Sequence, residues 1–247
     1  MESIHTVRVC RFVFGLILLG DFFVNSLSAQ SHKRNKSLGL QFAVVDHSKT
    51  KVSIGDTLRL TQGYFVLSAC KFYMGGIDAI NARTHKKKLI HGVVLVNLED
   101  EKSLLWNLHL ASRDRIDTLQ IQVGIDSLQH ADAAYLADLD PINSMYWSWQ
   151  SGFIQLKLEG TWYGSGKNIG TPVEWHLGGY RYPYGTGQTI RVPAGNTVKI
   201  TVDLSAFLEQ GLANAPAKIM SPGAPAAALM GIFVQQNWKF QIDGLAK

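Results

Sequence analysis

The sequence predicts an all-β protein: an antiparallel β-sandwich with one or two short helices near the C-terminus. Three observations carry this reading. Apolar residues recur at every second position in several separate stretches, the period of a strand with one buried face. Gly-containing turn signals divide those stretches at short intervals. Helical spacing is confined to the C-terminal part of the chain. Composition agrees. The chain has 247 residues, of which 46% are hydrophobic and only 17% charged, and this excludes a disordered chain. Its 11 Phe, 8 Tyr and 6 Trp can furnish a large aromatic core.

Taken in order, residues 1–29 read as a secretory signal peptide. Arg8 and Arg11 lead into the apolar run Phe12–Gly20, which is too short to span a bilayer. Cleavage is expected between Ala29 and Gln30, and Asp21 inside the apolar stretch argues against an uncleaved anchor. The expected mature protein is periplasmic or secreted, with no transmembrane segment. Cys10 leaves with the signal, so Cys70 is the one remaining cysteine and no internal disulfide forms. Cys70 is expected on one strand face with Val66, Phe72 and Met74, as a small buried hydrophobe rather than a reactive thiol.

Residues 30–37 are polar and basic and are expected to form a flexible N-terminal segment. Residues 38–247 then form one domain, since no linker or repeat divides them. Leu38, Leu40, Phe42 and Val44 make the first stripe. Val93–Val96 is continuously apolar, as in a strand buried on both faces. Ile116, Leu119, Ile121, Val123 and Ile125 nearly repeat the alternation, with a slip at Asp117-Thr118. Ile154, Leu156 and Leu158 follow, then Val198, Ile200, Val202 and Leu204. Turns are marked by Gly75-Gly76, Ser165-Gly166, Gly178-Gly179, Gly185-Thr186-Gly187 and Ala194-Gly195-Asn196. A helical turn over Ser205–Gln210 is expected to stop at Gly211. Ser221 as N-cap and Pro222 as first helical residue start a second helix, with Ala226, Leu229, Met230 and Phe233 at helical spacing. Trp238, Phe240 and Ile242 return to alternation.

The net charge of +5 is compatible with anionic surfaces, but no basic run is interleaved with aromatics, so nucleic acid is not an expected partner. The common catalytic strings are absent: no Gly-x-Ser-x-Gly, no phosphate-binding loop, no His-Glu-x-x-His, no Cys-x-x-Cys. Asp138 and Asp140 are the best carboxylate pair. In a turn, such a pair serves more readily as an Asx hydrogen-bond acceptor than as an acid/base couple.

Three regions invite a functional reading. Met145, Trp147 and Trp149 share a face if extended, either as core packing in a central strand or as a redox-active or ligand-stacking pair. Val173, Trp175 and Leu177 alternate inward, which points His176 to the opposite face with Glu174. A neutral imidazole there suits copper, zinc or nickel. The other mature histidines show no short ligand spacing, so any metal site is assembled from distant strands. The cluster Tyr180-Arg181-Tyr182-Pro183-Tyr184 offers rings that stack on sugars or peptides.

Three segments taken together resemble the MbnP-like copper-binding protein family. They are Leu139–Gly160 with its Met145-x-Trp147-x-Trp149-x-x-Gly152 string, Trp175-His176-Leu177-Gly178-Gly179-Tyr180, and Ile219-Met220-Ser221-Pro222-Gly223. Phe72-Tyr73-Met74, Leu95-Val96-Asn97-Leu98 and Val123–Ser127 support them in a consistent order over most of the mature chain. Ser144 stands where the family pattern usually has Gly, and His130 where related sequences tend to have Asn. The resemblance implies an exported β-rich domain that binds one copper ion. In some members it also implies a MauG-like diheme peroxidase partner that oxidises a Trp to kynurenine. The motifs carry over Trp147 and Trp149 as the redox or kynurenine positions and His176 as a metal ligand. His130 and His47 are the further candidates for completing the site. The expected role is copper binding or handling, not catalysis. The competing expectation is an extracytoplasmic glycan- or protein-binding sandwich without metal.

Overall fold

The expected stripes form strands. In this computed structural model, residues 36–110, 116–126, 137–148 and 150–245 are described. Leu38, Leu40, Phe42 and Val44 lie buried on one face of β1 (Lys36–Val45), which begins two residues before the boundary expected at residue 38. Then come β2 (Thr57–Leu60), β3 (Gly63–Ile80), β4 (Lys87–His91), β5 (Val94–Asn97), β6 (Leu105–Leu110) and β7 (Thr118–Val123). After these follow β8 (Tyr146–Ser148), β9 (Gly152–Gly164), β10 (Thr171–Gly178), β11 (Gln188–Pro193) and β12 (Gly195–Asp203). The C-terminal part adds helix α1 (Leu204–Asn214), β13 (Lys218–Ile219), helix α2 (Ala224–Gly231), a π-helical turn (Ile232–Gln236) and β14 (Trp238–Leu245).

Two sheets result. The smaller has the order β14-β12-β1-β6; the larger has β11-β7-β3-β9-β10-β13, with β2, β4 and β5 also paired to β3 and β8 to β9. Pairing is mostly antiparallel, as expected, with parallel contacts between β1 and β12 and between β10 and β13. The sheets face each other across one core, where Phe42 of the smaller meets Phe72 of the larger at 6.1 Å. Helix α1 closes one end of this core through Phe207, edge-on to Trp175 at 5.6 Å and to Phe233 at 5.0 Å.

The long strand β3 changes its inward parity twice. Phe65 and Leu67 face the core, then Cys70, Phe72 and Met74, then Ile77 and Ala79. The first change is a bulge between Leu67 and Ala69. It carries Val66 off the face that Cys70 shares with Phe72 and Met74, contrary to the simple alternation. The second change falls at Gly75-Gly76, which is not a turn but the interior of β3, between the segments paired with β9 and with β7. Glycine tolerates the backbone irregularity there. Cys70 is buried, and burial pushes its thiol up to about 12, so it is inert as read.

Both helices differ in detail from expectation. Asp203 caps α1 by accepting from the Ala206 N–H at 3.0 Å, and the helix runs on to Asn214. Gly211 therefore sits inside α1. Its missing side chain is a packing requirement, because a Cβ there would stand 2.4 Å from Trp175 Cη2. The second helix starts after Gly223 and uses Pro225, not Pro222, in its first turn. Ala226, Leu229, Met230 and Phe233 are buried as their spacing predicts.

Candidate functional site: the outer face of strand β10

Strand β10 is fixed by its inward side chains. Trp175 is fully buried, and its Nε1–H donates to the Pro216 carbonyl at 2.9 Å. Val173 and Leu177 flank it in the core. With these three anchored, alternation turns His176 to the outer face of the large sheet. There β9 runs antiparallel, placing Lys157 opposite His176 and Glu159 opposite Glu174. The Glu159 carboxylate reaches diagonally to His176, with Oε1 2.6 Å from Nε2, and lies 3.3 Å from Lys157 Nζ. The same face continues with Glu174 to Lys218 at 2.6 Å and Lys71 to Glu99 at 3.2 Å.

Burial alone would raise the Glu159 carboxyl. The hydrogen bond from His176 and the charge of Lys157 overcome it and hold the group below the usual carboxylate range. Glu159 is therefore ionised at neutral pH and can only accept. The ring donates through Nε2–H, and in its neutral form the lone pair then lies on Nδ1. No hydrogen bond to Nδ1 is formed among the described residues. The residue as a whole is only 8% exposed. Metal-ligating histidines are commonly oriented by a carboxylate on their other ring nitrogen in this way, and an ordinary His–Glu pair has the same geometry.

Two residues on, Gly178 shares this face. A Cβ on it would meet Trp147 Cζ3 at 2.7 Å and the Phe153 carbonyl at 2.5 Å, so the glycine makes room for the indole. Trp147 is thus packed against β10 at Gly178, two residues from His176 in sequence. Its Nε1–H is buried without a hydrogen-bond partner. The ring packs on a small outer cluster of Tyr73, Leu95, Ile125, Met145, Phe153 and Ile154. The strand that carries Trp147 is not central, as the sequence reading expected. It is the three-residue β8, paired only to β9 and lying over the large sheet.

His47 lies elsewhere. Its ring stands 3.3 Å from Glu209 and 3.8 Å from Asp203, beside α1, which packs on the inward face of β10. Asp140 accepts from the Ile142 N–H at 2.9 Å in the Asx manner, whereas Asp138 accepts from the Leu95 N–H at 3.0 Å, a tertiary contact to β5 rather than an Asx turn. His130, Trp149 and the segment 1–29 with its cleavage site lie outside the described residues. Among the described residues, no three His, Cys, Asp or Glu side chains gather as a metal cluster would. Sequence reasoning missed Glu159. The signal was present in Lys157 and Glu159, which alternate with the inward Leu156 and Leu158 and so share a face.

The class that fold and site define is a two-sheet β-sandwich bearing a carboxylate-oriented histidine and a tryptophan on one outer face. The family model described as MbnP matches residues 35–221, and the chain belongs to that family. The fold agrees with a solved structure, "MbnP from Methylosinus trichosporium": TM-score 0.51 at 15% identity, covering 71% of this chain and 78% of that one. No curated protein matches.

Proposed function

We propose that this chain is an exported protein that binds and hands on one copper ion at the outer face of β10, with His176 as a ligand through Nδ1. The observation that carries this reading is the His176–Glu159 pair, whose imidazole is nearly closed to solvent, with Trp147 packed against Gly178 two residues further along β10. Imidazole suits copper, and the Glu159 carboxylate raises its basicity and fixes the ring. Membership of the MbnP family supports the choice of copper. Trp147 is the position we assign to oxidation by a diheme peroxidase partner. Conversion of its indole to kynurenine would remove one carbon, add one oxygen and put a carbonyl and an aniline nitrogen against β10 at Gly178. The role is copper handling rather than catalysis, in the periplasm or outside the cell.

Titration of copper into the mature protein tests the reading. One equivalent is expected to bind to wild type and far more weakly to His176→Ala. Affinity falls as the solution is acidified, because the proton competes for the ring nitrogen. Equal binding by the variant would exclude His176. A second reading, a glycan- or protein-binding module without metal, is favoured by one observation: Tyr182 is 97% exposed beside Tyr184 and Arg181, at the rim of a cavity of about 150 Å³. It would be preferred if wild type bound no copper.

A further inference from the structure

We propose that a cavity at one end of the sandwich binds the ammonium group of a small primary amine, held between the Glu209 carboxylate and the Trp162 indole. The proposal does not depend on the copper reading. The cavity has a volume of about 200 Å³ and lies between the β2–β3 turn, β9 and α1. Trp162 follows Leu156 and Leu158 on the inward parity of β9, at the margin of the core. The strands make room for its ring. Gly63 and Gly164 pair across β3 and β9, and a Cβ on Gly63 would stand 2.9 Å from Trp162 Cη2. Leu60 and Leu212 add apolar wall, and Glu209, one turn before Leu212 on α1, adds the charge.

The polar chemistry of the lining selects the ligand. Glu209 Oε1 is taken: it accepts from the Thr61 N–H and from the Thr61 hydroxyl, each at 2.6 Å, and His47 Nε2 stands 3.3 Å away. Oε2 has no hydrogen-bond partner among the described residues. The Thr61 hydroxyl, above all, holds this carboxyl below its usual range, so it is ionised at neutral pH and can only accept. A ligand here must therefore donate, and a cationic donor gains more than a neutral one. The indole favours the same charge, because the face of Trp attracts an ammonium more strongly than that of Tyr or Phe. The cavity is smaller than the roughly 300–1,000 Å³ of sites for drug-sized ligands, so the ligand is short: an alkyl chain ending in an ammonium. A lysine side chain has this chemistry, and so does a free alkylamine.

The test follows the Trp162 indole and Thr61 amide signals of the mature protein by NMR during titration with n-butylammonium and, in parallel, with Nα-acetyl-lysine amide. Both signals are expected to shift together, with a Kd on the order of 1 mM for so small a ligand. Clearly tighter binding of the lysine derivative would mark a peptide side chain as the source, and equal or weaker binding a free amine. Glu209→Gln keeps the shape and an acceptor but removes the charge, and is expected to weaken binding by about tenfold or more. Ala213→Phe, at an exposed lining position of α1, is expected to fill the cavity and abolish binding with the fold intact. If neither signal moves at about 20 mM amine, or if n-butanol shifts both as n-butylammonium does, the proposal falls. It falls equally if either variant binds the amine as wild type does. None of these results bears on copper at His176.

Discussion

Glu159 decides the state of His176. As an ionised acceptor it forces the proton onto Nε2. Glu159→Gln can present an amide N–H instead and pull the lone pair round to Nε2, where no metal site is built. Copper affinity is expected to fall about 10–100-fold with the fold intact, measured by competition titration. Ser144 makes a different point. It closes the short 3-10 turn Pro141–Asn143 at φ 58°, in the left-handed region. A non-glycine residue there costs about 1–2 kcal/mol, and glycine's own chain entropy returns roughly half of that. Ser144→Gly should stabilise the protein by about 0.5–1 kcal/mol in a denaturant melt. The departure from the family pattern is thus an imperfect fit to a backbone that glycine suits better. At this scale the sequence was readable where a side chain obeys its own strand. His176 was placed outward by Trp175 and Leu177. Its partner Glu159, on another strand, depended on a register that no single strand reveals.

At the scale of elements, the stripes on β1, β7, β9, β10 and β12 were legible because each has one face in the core. Strand β6 was not. It buries Trp106, Leu108 and Leu110 but exposes Leu105, so apolar residues fall on both parities. Strand β8 was misread as central because two tryptophans suggested a core. Its ring Trp147 is only half-buried, over the outer face. The energetic consequence is testable. Trp175→Ala, from the core proper, should cost about 3–5 kcal/mol, and Trp147→Ala clearly less, by equilibrium unfolding of each variant. The contact between α1 and β10 yields another outcome. Gly211→Ala gains about 1 kcal/mol of helix propensity but drives a methyl against Trp175 and Leu229 Cδ1. Overpacking of this kind costs about 1–3 kcal/mol. The variant is expected to be less stable than wild type, and Trp175→Phe in the same chain should lessen the deficit.

For the whole molecule, acid is the predicted weak point. Four carboxyls that join separate elements or turns are held below their usual range, the exposed Glu101 by Lys51 among them. At Glu209 the main cause is the Thr61 hydroxyl, with the Thr61 N–H and His47 adding to it. At Asp46 it is the Ser48 hydroxyl, and at Glu159 the His176 bond outweighs burial. A depressed folded-state pKa contributes stability above the unfolded value, near 4, and that stability is lost as pH falls through the folded value. The melting temperature should therefore drop steeply below about pH 4, and Glu209→Gln should flatten that drop.

The neighbours of β1 have a consequence for how the chain is made. Gly39 lies opposite Thr197, so the first strand waits for one of the last. A parallel partner cannot be supplied by a hairpin; it comes only after a long crossover. While the ribosome is still building the middle of the chain, β1 can meet β6 on one side, but its other ladder of N–H and C=O groups stays open. An open apolar strand edge is a template for unwanted pairing. A chain ended at Pro193 lacks both β12 and β14, half of the smaller sheet. Such a product is expected to pellet on expression where the full chain stays in the supernatant, and the full chain itself should need a holdase chaperone until its final quarter has emerged.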